Sequence, residues 1–319
     1  MSSSKTQDET QKVQLVRVLE PQVGQRLDNF LIRQLKGVPR SRIYRLIRRG
    51  EVRVNKKRCK PERKLELGDQ VRIPPYSGSS SPAPAKPSPA LQTFLLDSIL
   101  VENEQLLVIN KPTGLAVHGG SGIQLGLIEA LRQSKPEWAQ LELAHRLDRE
   151  TSGCLIIAKN TLFLKHIQRE FKARTVKKNY LALVYGSWPE TLVEIDAALE
   201  KSEIAAGERI VRVSDSGKPA LTRFAVVERY RGATLVEAMP ETGRTHQIRV
   251  HCQHAGHAII GDSKYTGKMP KKEPCKARSL CLHAWKIEFS VPNSETLLKV
   301  QAPLNNHLQS LLDELNKSQ

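Results

Sequence analysis

The chain has 319 residues, 39% of them hydrophobic, which is enough for a sizeable core and by length predicts about two domains. Its 50 lysines and arginines outnumber its 33 aspartates and glutamates, and the net charge of +17 predicts a polyanionic partner, nucleic acid first. No apolar run approaches the ~20 residues of a membrane span, and the N-terminus lacks the apolar core of a signal peptide. Five cysteines without a C-x-x-C pair indicate reduced thiols. Together these features predict a cytoplasmic protein without membrane contact.

Composition divides the chain into four parts. Residues 1–13 are polar and predict a disordered tail, and residues 14–76 alternate short apolar runs with turns, as a small domain does. Residues 77–92 are rich in proline, serine and alanine and predict a linker. Residues 93–319 then form a second, larger domain.

The small domain begins with two predicted helices. Leu27, Leu31 and Leu35 recur at helical spacing. Ser41 is a candidate N-cap for a second helix that would end at Gly50. A short strand is predicted after it at residues 52–54, and residues 67–73 predict a turn that leads into a closing strand.

The second predicted helix and the turn after it are strongly basic. Residues 36–64 contain thirteen basic and two acidic residues. A solvated surface usually mixes both signs, so this excess favours a phosphate-binding surface over a bland solvated one. The candidate RNA-binding residues are Arg40, Arg45, Arg48, Arg49, Lys56 and Lys57.

The order of apolar runs in the large domain predicts an α+β fold. Apolar runs at residues 106–111 and 155–159 indicate buried strands. Residues 162–173 indicate a basic amphipathic helix, and residues 178–186 another strand. Shorter strands are expected at residues 210–213, 222–228 and 234–237. This order favours two mixed or antiparallel sheets with flanking helices over alternating β-α-β units.

Residues 145–153 place Asp148 between Arg146 and Arg149, just before the buried strand at 155–159. An isolated aspartate in such a loop is more often a turn residue paired with its arginines. Here, however, further motifs occur in order along the chain, at residues 110–114, 178–180 and 242–251. They shift the interpretation towards an active site.

With residues 145–153, these motifs resemble the RluA family of pseudouridine synthases, over roughly residues 100–303. Residues 24–28, 41–42, 50–55 and 67–69 resemble the alpha-L RNA-binding domain shared with a ribosomal protein of the small subunit. With the alpha-L domain, residues 118–122 and 207–214 make the chain most similar, within the family, to the branch of RluC-type enzymes. That branch modifies uridines of the large-subunit (23S) ribosomal RNA.

The resemblance implies a pseudouridine synthase catalytic domain and isomerisation of a flipped-out uridine. The glycosidic bond would move from N1 to C5 with no cofactor and no metal. Asp148 matches the catalytic aspartate, and whether it attacks C1′, adds to C6 or removes the 2′ proton stays open. The resemblance assigns further roles, namely pairing with the aspartate to Arg249, stacking on the uracil to Tyr180 and filling the vacated stack to Arg146. Lys111 and Arg244 are candidates for RNA contact, whereas His145 and His246 are expected to hold backbone geometry.

Three other interpretations compete with this one. His246, His251, His254 and His257 with Cys252 suggest zinc, but neither paired cysteines nor an H-E-x-x-H helix accompanies them. A non-catalytic RNA-binding factor of ribosome assembly stays as the alternative function. A nucleotide-hydrolysing remodeller would need a G-x-x-x-x-G-K-[ST] loop, which the sequence lacks. The expected partner is 23S rRNA or an assembling large subunit, with no obligate protein partner and a monomer as the default state.

Overall fold

The computed structural model describes residues 13–35, 38, 40–75, 85–119, 123, 125–203, 209–266, 273–294 and 296–317. Almost all of the predicted tail and residues 77–84 of the predicted linker lie outside these ranges. The chain divides into two compact units, Met1–Ala85 and Lys86–Gln319, and the division falls within the predicted linker. No helix in the described ranges is long and apolar enough to span a membrane.

The N-terminal unit packs two helices on a small antiparallel sheet with strand order β1-β3-β2. Its elements are β1 (Gln14–Arg17), α1 (Leu27–Gln34), α2 (Arg40–Arg49), β2 (Arg53–Val54) and β3 (Gln70–Ile73). Leu27, Phe30 and Leu31 of α1 bury their side chains against Ile43 and Ile47 of α2. Helix α2 begins before Ser41, so the prediction that Ser41 caps it is wrong.

The C-terminal unit combines helices with a large mixed sheet. Its helices are α3 (Pro89–Asp97), α4 (Leu127–Arg132), α5 (Thr161–Ala173), α6 (Gln247–His254) and α7 (Asn306–Lys317). Its strands are β4 (Ile99–Glu102), β5 (Leu106–Lys111), β6 (Glu142–Leu143), β7 (Ser152–Ala158), β8 (Lys177–Tyr185), β9 (Glu194–Asp196), β10 (Leu199–Glu203), β11 (Arg209–Val213), β12 (Leu221–Tyr230), β13 (Ala233–Pro240), β14 (Leu282–Ser290) and β15 (Leu297–Gln301).

The strands of this unit form one ten-stranded sheet, apart from the β10-β11 hairpin, in the described part of the chain. The order along the main path is β4-β5-β7-β14-β8-β13-β12-β9. The α+β class is therefore confirmed. The main strands do not divide into two sheets as expected, because β14 pairs with both β7 and β8 and joins the halves, and the only separate sheet among the described residues of this unit is the β10-β11 hairpin. Helix α3 also begins inside the stretch assigned to the linker, with Ser88 accepting a hydrogen bond from the Leu91 amide as its N-cap.

Strand β7 lies at the centre of the core and anchors the loop that precedes it. All seven of its residues are buried, because successive side chains point to opposite faces and both faces are covered. Leu155 and Ile157 pack towards α4, while Ile156 packs towards α5. Near its start, Gly153 has φ of +107° and lies so close to the Ala284 carbonyl that a side chain would collide with it. The loop that carries Asp148 enters this anchored strand directly.

Candidate active site

A cleft of about 530 Å³ lies in the C-terminal unit where three regions of the chain meet. One is the loop before β7, the second is the connection from α5 into β8, and the third runs from the end of β13 into α6. Sheet pairing makes these regions neighbours because β8 pairs with both β13 and β14, and β14 pairs with β7. The charged and aromatic side chains of its lining include Arg146, Asp148, Lys172, Arg174, Lys178, Tyr180, Arg244, His246 and Arg249.

Asp148 is the carboxylate of this cleft, and its side chain is 22% exposed. Its Oδ2 atom lies 3.8 Å from Nη1 of Arg249 and 3.8 Å from Nε2 of His246. Its backbone carbonyl accepts a hydrogen bond from the Thr151 amide, which tightens the loop into a turn. Both nitrogen atoms therefore approach the same carboxylate oxygen, and the carboxylate stays accessible from the cleft.

Arg249 is held in place mainly by a second carboxylate. Its Nε and Nη2 atoms donate to Asp262 at 2.7 Å each, and its Nη1 atom is left on the side of Asp148. Asp262 also accepts from the backbone amides of Lys264 and Tyr265. Burial alone would raise the pKa of Asp262, but the hydrogen bonds and charge of Arg249 hold it below its usual value. Sequence reasoning missed Asp262, since nothing local marks an aspartate thirteen residues after Arg249 as its partner.

His246 lies beside Asp148 in an unusual backbone conformation. It precedes α6 with φ of 55° and ψ of 21°, the left-handed region that non-glycine residues rarely adopt. Its Nδ1 atom lies 2.6 Å from the hydroxyl of Tyr265. Burial lowers the pKa of His246, while the nearby Asp148 opposes that shift. The expectation that His246 only holds backbone geometry is therefore incomplete, because its ring faces the carboxylate.

His145 fits its expected role. Its Nε2 atom accepts a hydrogen bond from the Ile156 amide at 3.0 Å, which ties the loop to the central strand. Burial lowers the pKa of His145 to about 4, so the ring is neutral and can accept this bond at physiological pH. The prediction that His145 holds backbone geometry is confirmed.

Tyr180 lines the cleft from β8. It is partly buried and packs against two hydrophobic clusters, one that includes Ala182 and Leu282 and one that includes Leu147 and Ala284. Burial, with a smaller contribution from the charge of Asp148, raises the pKa of the Tyr180 hydroxyl. The ring is therefore a neutral aromatic surface at the cleft in the physiological range.

Basic side chains surround the cleft. Arg146 is exposed, and Arg244 is half-buried with its Nε atom donating to the Pro219 carbonyl. Lys172, Arg174 and Lys178 also lie along the lining. Lys178 belongs to the motif at residues 178–180 but was assigned no role, and sequence reasoning did not single out Lys172 and Arg174. The basic face of the helix predicted at 162–173 was the signal that could have identified Lys172 and Arg174, because this face continues into the rim of the cleft. This positive rim suits the phosphate groups of a nucleic acid.

The structure places Lys111 away from the cleft surface. Its side chain is fully buried at the end of β5, and Nζ donates to the carbonyls of Pro112, Leu115 and Arg149 at 2.7–2.9 Å. Direct contact between Lys111 and RNA does not fit this burial, which corrects the expectation. Instead, Lys111 joins the loop after β5 to the loop that carries Asp148.

The predicted RNA-binding residues of the N-terminal unit lie on its surface where they are described. Arg45, Arg48 and Arg49 are exposed on α2. Lys56 and Lys57 are exposed in the turn after β2, where Asn55 and Lys56 have positive φ angles. The side chain of Arg40 lies outside the described part of the structure.

The histidines considered as zinc ligands have other contacts. His251 contacts the Thr222 hydroxyl and the Ala197 carbonyl, and His257 contacts the Tyr185 carbonyl. In the described ranges no group of three or more histidine, cysteine, aspartate or glutamate side chains is arranged to hold a metal ion.

Comparison with known proteins identifies the family to which this fold and this site belong. Residues 105–254 match the family model for RNA pseudouridylate synthases, and residues 25–71 match the S4 domain. The cleft lies largely within the first match and the basic helix α2 within the second. The chain belongs to the RNA pseudouridylate synthase family, whose members isomerise uridine in RNA.

Two curated relatives and one solved structure illustrate how far the similarity extends. The chain is 49% identical over 309 residues to a ribosomal large subunit pseudouridine synthase C of Haemophilus influenzae, covering 96% of each chain. It is 48% identical over 316 residues to the protein of that name from Escherichia coli strain K12, covering 97% of this chain and 99% of the relative. The structure of human RNA pseudouridylate synthase domain containing 4 aligns with a TM-score of 0.59 and 29% identity, over 71% of this chain and 96% of that one.

Proposed function

We propose that this protein isomerises specific uridines of large-subunit (23S) ribosomal RNA to pseudouridine, with Asp148 as its catalytic carboxylate. The observation that carries the proposal is the position of Asp148 in a basic cleft, with Arg249 and His246 both 3.8 Å from its Oδ2 atom. The names of the curated relatives support the large-subunit RNA as substrate.

The reaction needs a carboxylate beside the sugar and base but no redox chemistry. The bond between N1 and C1′ breaks, a bond between C5 and C1′ forms, the C5 proton leaves and N1 regains one, so atoms and electrons balance without a cofactor. Both approaches from Arg249 and His246 fall on Oδ2, so Oδ1 is the oxygen we assign to the nucleotide. Arg249 approaches the carboxylate on one side and limits its rotation.

The cleft suits a nucleotide that has left its helix. A uridine must leave the stack before N1 and C5 can exchange places, at a cost of a few kcal/mol. The ring of Tyr180 offers a face for the extruded uracil, since stacking on an aromatic side chain contributes about 1–3 kcal/mol per base. To Arg146, which is exposed in the lining, we assign the gap left in the stack, and to Arg244 a contact with the RNA backbone at the rim.

The N-terminal unit supplies binding that does not depend on sequence. Arg45, Arg48 and Arg49 on α2, with Lys56 and Lys57 in the turn, present positive charge to phosphates. Such contacts position an RNA and leave selection of the uridine to the cleft and to RNA shape. With this partner the protein acts in the cytoplasm, as a monomer and without an obligate protein partner.

The test is release of tritium from unmodified large-subunit ribosomal RNA whose uridines are tritiated at C5. We expect release by the wild-type protein and none by Asp148→Asn, which keeps the shape of the side chain but removes its charge. Asp97→Asn, at the exposed end of α3, is the matched control and should retain full activity. RNA binding by Asp148→Asn should stay close to that of the wild type.

The alternative function, a non-catalytic factor of ribosome assembly, predicts a different result. It expects tight and salt-sensitive RNA binding with no tritium release from any large-subunit RNA or assembly intermediate. Release by Asp148→Asn at the wild-type rate would instead remove Asp148 from its proposed role.

A further inference from the structure

The contact between Tyr265 and His246 determines where the proton of the His246 ring lies. The Tyr265 oxygen is 2.6 Å from Nδ1 of His246 and accepts a hydrogen bond from the Val211 amide at 3.0 Å. Tyr265 is only 2% exposed, so its hydroxyl is shielded from bulk water. Because the Val211 amide can only donate, the Tyr265 hydroxyl has, in the described part of the chain, a single acceptor to which it can donate its own proton.

That acceptor is Nδ1 of His246. If Tyr265 donates to Nδ1, the hydroxyl accepts one bond and donates one, and each group in the chain is satisfied. If Nδ1 carried the proton instead, the hydroxyl proton of a buried tyrosine would have no acceptor among the described residues, which is unfavourable. The Tyr265 hydroxyl therefore acts as the donor, and the ring proton of the neutral histidine lies on Nε2.

Nε2 is the ring atom that faces Asp148, at 3.8 Å from Oδ2. This separation is longer than a hydrogen bond, but catalytic contacts are often long before substrate binds and shorten in the complex. The left-handed backbone of His246 supports a functional placement, because such conformations are costly and concentrate at active sites. We propose that Tyr265 and His246 are positioning residues for Asp148: Tyr265 fixes the Nε2-protonated tautomer of His246, whose N–H then orients the carboxylate together with Arg249.

This proposal rests on the catalytic role proposed for Asp148, but its first test does not require activity. In wild-type protein with ¹⁵N-labelled histidine, we expect Nδ1 of His246 to be unprotonated and Nε2 to carry the proton at neutral pH. Tyr265→Phe keeps the ring but removes the donor, so the two tautomers should become mixed. A wild-type His246 protonated on Nδ1, or a tautomer unchanged in Tyr265→Phe, would overturn the proposal.

The second test separates positioning from folding. Tyr265→Phe should lower kcat about tenfold with little change in KM, because His246 then loses its preference for the Nε2-protonated tautomer and its hydrogen bond to the charged carboxylate of Asp148 weakens. His246→Gln keeps an N–H near the Nε2 position and should retain more activity than His246→Ala. Tyr185→Phe removes the hydroxyl of a half-buried tyrosine outside the cleft lining and should match the wild type. Equal kcat values for the Gln and Ala variants, or a loss in Tyr265→Phe confined to KM, would contradict the proposal.

The pH profile gives a third readout. Asp148, Arg249, Asp262, Lys264 and Tyr265 are the titratable and charged groups that act on His246. Tyr265 donates to the neutral ring and so favours that form, and its loss should raise the pKa of His246. Protonation of Nδ1 removes the acceptor of the Tyr265 hydrogen bond and with it the anchor of the ring. The acidic limb of the kcat profile should therefore move to higher pH in Tyr265→Phe. An acidic limb that does not move would contradict the inference. If the wild-type protein shows the expected tautomer but is inactive on every RNA, only the proposed role of Asp148 is contradicted.

Discussion

Arg249 and Asp262 form a buried bidentate ion pair, with Nε and Nη2 of the arginine each 2.7 Å from a carboxylate oxygen. Arg249 also lies over the ring of Tyr265, at 4.9 Å from its centre. The guanidinium thus has a fixed plane before any substrate arrives. This fixed plane leaves Nη1 directed at Asp148.

Removing the charge of Asp262 should destabilise the protein. We expect Asp262→Asn to lower the free energy of unfolding by about 3 kcal/mol, the lower end for breaking a buried ion pair. Because the pKa of folded Asp262 is below its usual value, the contribution is present above the unfolded pKa of about 4 and is lost as the pH falls through the folded pKa. Urea unfolding at pH 7 and at decreasing acidic pH measures this, with the exposed Asp97→Asn as control. A difference from wild type that persists unchanged in acid would argue against the ion pair.

Neutralising the outer face of α2 should weaken RNA binding in a salt-dependent way. Replacing Arg45, Arg48 and Arg49 by glutamine should reduce the slope of log K against log salt by about 0.7–0.9 for each phosphate that the protein no longer neutralises. Filter binding at several salt concentrations measures the slope. The control, Lys317→Gln at the exposed end of α7, removes charge elsewhere. An unchanged slope in the triple variant would show that α2 does not contact phosphates.

Tyr180→Phe tests how the cleft uses its tyrosine. The phenyl ring keeps the face available for stacking, so RNA binding should match the wild type within about twofold, whereas Tyr180→Ala should weaken binding by about 1–3 kcal/mol of stacking. Equilibrium binding of single-stranded RNA that contains the target uridine measures both. Equal weakening of binding in both variants would exclude stacking as the role of the ring. Tritium release by Tyr180→Phe then reports whether the hydroxyl takes part in turnover.

Lys111→Met should destabilise the loop that carries Asp148. Burial lowers the pKa of Lys111 to about 7, yet the three carbonyl acceptors match the three donors of the ammonium form, which we take as the form that joins the loops. Methionine removes the cost of burying that charge but leaves three carbonyls without their donor, for a net loss of about 2 kcal/mol. Thermal unfolding measures it, with Lys165→Met on the exposed face of α5 as control. Wild-type stability in Lys111→Met would contradict this structural role.

Local pattern was enough to predict much of the secondary structure. The buried strands β5 and β7, the amphipathic helix α5 and the strand β8 lie where hydrophobic periodicity placed them, within one to three residues at each end. Helix α6 and strand β14 were not predicted, because α6 is short and polar and β14 alternates only in part. Both bear on the site, since α6 carries Arg249 and β14 joins the two halves of the sheet.

The sequence by itself determined the family, the α+β class and the motif residues, because ordered motifs, periodicity and charge are properties of short stretches. Only the tertiary structure decided which of these residues meet. Asp148, Tyr180 and Arg249 line one cleft because β7, β14, β8 and β13 pair side by side. The burial of Lys111 and the contacts of Asp262 and Tyr265 with the motif residues also came from the structure. Such contacts join residues that are distant in the chain, and their energies depend on burial and geometry that no local pattern encodes.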